Sequence, residues 1–224
     1  MRAGRLLVFE GAEGAGKTTQ LRRLAARLAA AGRVVASVRE PGGTPVGDEI
    51  RRILLDPGRQ IDPRAEALLF MASRAELMRQ VVEPALHGGQ IVLMDRFFLS
   101  TYAYQVAGRG LPEEEIREAN RLATGGTAPD LTLLFDAPVA EGLARADRRG
   151  ERDRMERADD AFHERVADAF RSFADIDWQR GHPECGPIVR VDARGSEQAV
   201  GERVLSVLAA RWPELFGALA GAPA

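Results

Sequence analysis

Residues 11–18 read Gly-Ala-Glu-Gly-Ala-Gly-Lys-Thr and fit the pattern G-x-x-x-x-G-K-[S/T]. The run before them, Leu6–Glu10 (LLVFE), has the length and apolar content of a buried strand, and the stretch from Leu21 to Ala30 after them has helical periodicity. A strand, a glycine-rich loop and a helix in that order make a phosphate cradle. The glycines let backbone N–H groups wrap an anion, the helix N-terminus adds partial positive charge, and Thr18 supplies a hydroxyl for Mg²⁺. Lys17 is the only lysine among the 31 lysines and arginines of the chain. Where a positive charge alone is needed, this sequence uses arginine. A guanidinium is wide and needs a forked partner, whereas an ammonium is a compact point charge that reaches the β- and γ-phosphates inside a tight loop. Gly11, Ala12, Glu13, Gly14, Ala15, Gly16, Lys17, Thr18 and Thr19 are therefore the expected binding loop of a nucleoside triphosphate.

The rest of the chain reads as the same kind of fold. Val34–Val38, Ile91–Asp95, Leu131–Asp136 and Ile188–Asp192 are short apolar runs expected to be buried strands. Between them lie helical patterns with start signals: Thr44-Pro45 and Asp62-Pro63 as cap and first-turn proline, Leu111-Pro112 with proline at the first helical position, and Ser196 as a cap. Strands that alternate with helices imply an α/β fold around a parallel sheet, with ligands at the carboxyl ends of the strands. Acid stands at such ends at Glu10, Asp95 and Asp136. A length of 224 residues suits one domain, expected over 1–216, with an unstructured tail over 217–224. Net charge is −2, which argues against a non-specific nucleic-acid binder. Cys185 is the single cysteine and no apolar run approaches the ~20 residues of a membrane span, so a cytoplasmic protein without membrane or nucleic-acid partners is expected. His87, His163 and His182 match no catalytic or ligand spacing and read as structural.

The phosphate loop alone leaves two classes open, a kinase acting on a small molecule or an ATPase or GTPase switch. Three further stretches bear on the choice. Arg39-Glu40-Pro41-Gly42-Gly43-Thr44 follows the second strand, Asp95-Arg96-Phe97 follows the third and runs on to Gln105, and Phe70-Met71-Ala72-Ser73-Arg74 lies on the helix between them. Arg39, Arg74 and Arg96 would converge at one side of the sheet, which suggests a second anionic group held near the first. The segment Ala146–Asp160 (ADRRGERDRMERADD) is charge-dense and poor in apolar anchors. It reads either as a solvated helix face or as an arginine-bearing lid over phosphates.

The REPGGT and DRFFLSTYAYQ stretches, in this order and spacing, resemble the thymidylate kinase family over about residues 5–210. The resemblance implies a P-loop nucleoside monophosphate kinase fold with a five-stranded parallel sheet flanked by helices, a homodimer, and the reaction of ATP with dTMP to give ADP and dTDP with Mg²⁺. It implies that Arg39, Arg74 and Arg96 hold dTMP, that Phe70 stacks on thymine, and that Thr101 and Gln105 contact the base. Tyr104 would sit under the sugar where a ribose 2′-OH would go, and Glu13 would face the 3′-hydroxyl. Thr18 and Asp95 would serve the metal, and Lys17, Asp95 and Arg96 the reaction. With acid at the loop tip, the catalytic arginine is expected in a lid over about 146–158, with Arg149 and Arg154 the functional pair. A kinase for another nucleoside monophosphate is the alternative, and a P-loop switch a more distant one.

Overall fold

The computed structural model describes residues 4–137 and 153–220. Five strands, β1 (Arg5–Glu10), β2 (Val35–Arg39), β3 (Ile91–Asp95), β4 (Leu131–Asp136) and β5 (Ile188–Asp192), form one parallel sheet in the order β2-β3-β1-β4-β5. The five-stranded parallel sheet expected from the sequence is thus present. β1 is central and pairs with β3 on one side and β4 on the other, with Leu7 opposite both Leu93 and Leu131. Alternation along β1 then divides the core. Leu6 and Val8 join Val92, Met94 and Leu134 under one face, while Leu7 and Phe9 join Leu93, Leu133 and Phe135 under the other.

The second face is covered by α1 (Lys17–Ala30), and the first by α2 (Pro45–Leu55), α3 (Pro63–Leu77), α4 (Glu83–His87), α5 (Phe98–Thr101) and α6 (Glu113–Thr124) together with α7 (Asp160–Ser172) and α8 (Ile176–Gly181). α9 (Glu197–Arg211) and α10 (Pro213–Ala220) close the α1 side. Thr44, Asp62 and Ser196 cap their helices through their side chains as expected. Pro112 sits at the cap position of α6, one residue before the place expected for it.

Three features depart from the sequence reading. β2 lies at the sheet edge and is half-buried to exposed, because only β3 pairs with it. Residues 217–220, expected to begin an unstructured tail, continue α10, whose Phe216 is fully buried beside Trp212 and Leu215. Two stretches adopt π-helix, Met78–Val82 between α3 and α4, and Tyr102–Gly108 directly after α5. The first ends just before Pro84, which lacks a backbone donor and whose ring crowds the preceding turn.

Candidate active site

The carboxyl ends of β1, β2 and β3 open into a cleft of about 740 Å³. Glu13, Gly14, Gly16, Lys17, Thr18 and Thr19 line it from the loop, and Arg39, Phe70, Arg74, Asp95, Arg96, Thr101, Tyr104 and Gln105 line it from the strand ends and helices. Gly11 and Ala15 serve the loop from within. Gly11 has φ 141°, and a Cβ there would stand 2.5 Å from the Phe135 carbonyl oxygen, so only glycine lets the loop leave β1 against β4. Ala15 is buried in the core. Ala12 faces a second, smaller cleft of about 370 Å³ at the ends of β4 and β5, with Asp136, Arg171, Arg190 and Arg194. The loop therefore stands between two clefts.

Lys17 is 6% exposed, and its Nζ donates to the carbonyl oxygens of Gly11 (2.8 Å) and Ala12 (2.7 Å). Burial lowers its pKa to about 8, helped by Arg96 and opposed by Glu13, Asp95 and Glu10. Thr18 Oγ1 donates to Asp95 Oδ2, which sets two hard oxygens side by side at the mouth of the loop.

Arg96 has φ 71°, the one non-glycine residue with positive φ among those described. A left-handed conformation at a residue with a Cβ persists where surrounding contacts over-determine it, and here they do. The Arg96 amide donates to Phe9 O (3.0 Å), Nη2 to Glu13 Oε2 (2.6 Å) and Nη1 to Ser100 Oγ (2.9 Å), while the guanidinium lies 5.4 Å from the Tyr104 ring centre. Burial disfavours the Arg96 charge, but Tyr104, Glu13, Asp95 and Glu10 more than offset this and raise its pKa. Behind it Glu10, fully buried at the end of β1, accepts from the amides of Phe97 (2.7 Å) and Ser100 (2.9 Å) and from Ser100 Oγ (2.7 Å). That carboxylate fixes the turn on which Arg96 is displayed.

Arg74 is 2% exposed, and the protein itself uses nearly all its donors. Nε (2.8 Å) and Nη2 (2.5 Å) bond Glu40 Oε2, Nη2 also donates to Phe97 O (3.0 Å), and Nη1 donates to Asn120 Oδ1. Arg74 thus forms a wall of the cleft with its fork engaged by Glu40 and Phe97, which line the cleft with it. Burial raises the Glu40 pKa even with Arg74 as its partner. Arg39, at the exposed end of β2, keeps the freer placement.

Arg154, expected over the phosphates, does not line the cleft. Its Nη1 bonds Glu66 Oε2 (2.7 Å), its Nε donates to Leu54 O (2.7 Å), and its amide donates to Leu55 O (3.2 Å), which binds the chain to the end of α2. Arg148, Arg149 and Arg152 lie outside the described residues. His163, read from sequence as structural, is on the cleft wall. His182 is structural, stacked on Trp178 at 3.7 Å and bonded to Glu113 Oε1. Sequence reading passed over Glu10, Glu40, Glu66 and Ser100. Glu10 carried a signal as an acidic strand end, and Glu40 and Ser100 lie within the REPGGT and DRFFLSTYAYQ stretches.

Comparison with known proteins agrees with this geometry. The family model for thymidylate kinase matches residues 9–181. Thymidylate kinase from Deinococcus radiodurans is 52% identical over 180 residues, covering 80% of this chain and 87% of the relative. That from Geobacter sulfurreducens is 44% identical over 217 residues, covering 94% and 99%. The crystal structure of thymidylate kinase from Ehrlichia chaffeensis superimposes with a TM-score of 0.70 at 29% identity, covering 91% of this chain and 97% of that one.

Proposed function

The chain belongs to the thymidylate kinase family, and from that premise we propose that it transfers the γ-phosphoryl group of ATP to dTMP, giving ADP and dTDP for dTTP synthesis. The observation that carries the reading is the position of the phosphate loop between two clefts, the larger bordered by Arg39, Arg74 and Arg96. Phosphoryl transfer asks little covalent chemistry of a protein; it needs two phosphates in line and the developing charge neutralised. The smaller cleft beside Ala12 suits the donor's base and the larger one the acceptor.

Within this reading Lys17 leaves the Gly11 and Ala12 carbonyls for the β/γ-phosphates, and the amides of the loop through Thr19 hold the triphosphate. Arg39 and Arg96 bind the acceptor phosphate. Arg74, with its fork engaged, supports the base side with Phe70, Thr101 and Gln105. Tyr104 lies under the deoxyribose, and Glu13 faces its 3′-hydroxyl. Mg²⁺ fits the site: Thr18 Oγ1 and the Asp95 carboxylate are oxygen donors of the type it takes, and it is commonly held by one or two protein groups together with phosphates. When bound it neutralises charge on the phosphates. Arg149 covers the transferring group from a lid over about 146–158, closing out water that would compete as acceptor, while Arg154 anchors the root of that lid. The single kinase domain, expected over 1–216, runs on to the end of α10 at Ala220.

The family's dimer is supported by exposed apolar side chains on adjoining helices: Val46 and Ile53 on α2, Leu68 (64% exposed) on α3 and Leu122 (85% exposed) on α6. Cytoplasmic residence is supported by the lone buried cysteine. No helix among the described residues is long and apolar enough to cross a membrane.

The test is ADP production from ATP with and without dTMP, with dUMP, dCMP and thymidine as other acceptors. ADP should form only with an acceptor, and fastest with dTMP. Hydrolysis indifferent to acceptor would instead indicate a P-loop switch, and preference for another monophosphate would indicate a different kinase.

A further inference from the structure

Glu66 lies behind the cleft wall. It is fully buried on α3, and its carboxylate takes four donors from three residues. Oε1 accepts from Gln105 Nε2 (2.9 Å) and Arg109 Nε (3.2 Å), and Oε2 accepts from Arg109 Nη2 (3.1 Å) and Arg154 Nη1 (2.7 Å). All four contacts come from N–H groups, so both of its oxygens act as acceptors here.

This restricts Gln105, itself 1% exposed. A side-chain amide has a donor end and an acceptor end. The reversed orientation would press the amide oxygen against a buried carboxylate oxygen and leave both unpaired. Gln105 therefore turns one N–H to Glu66, which fixes the amide with its Oε1 as the acceptor on the cleft side, where Gln105 lines the wall together with Phe70 and Thr101. The π-helical backbone of Tyr102–Gly108 brings Tyr104 and Gln105, adjacent in sequence, to the same cleft.

We propose that Glu66 is a positioning residue for base specificity. By locking Gln105 with its carbonyl oxygen towards the cleft, it selects pyrimidines that carry a hydrogen on N3, thymine and uracil, against cytosine, whose N3 is itself an acceptor. The inference rests on the larger cleft being the acceptor-nucleotide site, and it gives that site its rule of choice. A buried acceptor facing an acceptor costs roughly tenfold to hundredfold in affinity. The device reads the imide edge and is blind to the 5-methyl group, so it does not separate dTMP from dUMP.

The experiment measures kcat and KM for dTMP and dUMP, and Ki for dCMP as a competitor, in the native enzyme, Glu66→Gln and Gln105→Met. Glu66→Gln gives the Gln105 amide a partner it can meet with either end. The ratio of Ki for dCMP to KM for dTMP should fall about tenfold, chiefly through a lower Ki for dCMP, while kcat for dTMP changes less than that. Gln105→Met leaves Glu66 with both arginines, so it stays folded if Glu66→Gln does not, and it should lose the same discrimination. A folded Gln105→Met enzyme that keeps the native ratio, or a Glu66→Gln enzyme that weakens all three nucleotides by one factor, would overturn the role of Glu66. A native enzyme that binds none of the three would overturn the reading of the cleft and this inference with it.

Discussion

Raising the pH should uncouple nucleotide binding from stability through one side chain. Lys17 has its pKa lowered from 10.5 to about 8, chiefly by burial. Each unit is worth about 1.4 kcal/mol, so charged Lys17 costs the folded state about 3 kcal/mol. The sign follows from proton counts. Below pH 8 both folded and unfolded chains hold the proton and the full cost applies. Between pH 8 and 10.5 the unfolded chain keeps a proton that the folded one releases, so this group's contribution to stability rises with pH, and above 10.5 it is constant. Binding runs the other way, because a neutral amine attracts no phosphate. kcat/KM for ATP should fall about tenfold per pH unit above pH 8 in the free enzyme. Two variants isolate the residue. Lys17→Arg stays charged, so its lower activity should lack the alkaline limb near 8. In urea titrations, the stability of the native enzyme relative to Lys17→Met should climb by about 3 kcal/mol from pH 7.5 to 10.5. A native kcat/KM that is flat to pH 9.5, or a stability difference that does not move, would refute the burial of a charged lysine as the cause.

The Arg154→Ala variant should lose about 3 kcal/mol in chemical denaturation, since it leaves Glu66 buried with one arginine fewer. Arg149→Ala should instead lower kcat on the order of 100-fold with an unchanged melting temperature, and equal stability losses in the two would contradict the division between anchor and lid. Tyr104→Ala should narrow the preference for dTMP over ribothymidine monophosphate more than it slows dTMP turnover; equal use of both by the native enzyme rules out a steric role for that ring. Leu122→Glu should shift sedimentation towards monomer at micromolar concentration, whereas an unmoved dimer would remove α6 from the interface.

The parts of the site that were legible in the sequence are those whose chemistry is local. The phosphate loop needs its glycines, lysine and threonine in eight consecutive residues, and strand and helix follow from the periodicities on either side. Caps such as Thr44 act within three residues, on the Gly47 amide. The buried carboxylates were not legible, because their partners are far away in sequence: Glu10 meets Ser100, Glu40 meets Arg74, and Glu66 meets Arg109 and Arg154. A motif argument recognises an arginine and cannot see which partners its fork meets, Glu40 and Asn120 for Arg74 and Glu66 for Arg154. Edge exposure of β2 is a property of strand order, which no single segment contains. The helix over 213–220 depends on Phe216 finding the α9 side of the core.

The placement of β1 at the centre of the sheet sets a timetable for synthesis. The phosphate loop leaves the ribosome before β3 and β4 do, yet the backbone it hangs from is held by both, and the Leu6 amide is bonded to Asp130 across 124 residues. Contacts of that range form only after long loops have closed. Emerging chains that stop short of Asp136 carry the whole loop and no cradle. Nucleotide cannot stabilise such a chain by binding it, and the β4 edge of β1 stays unpaired until Leu131–Leu134 have been made.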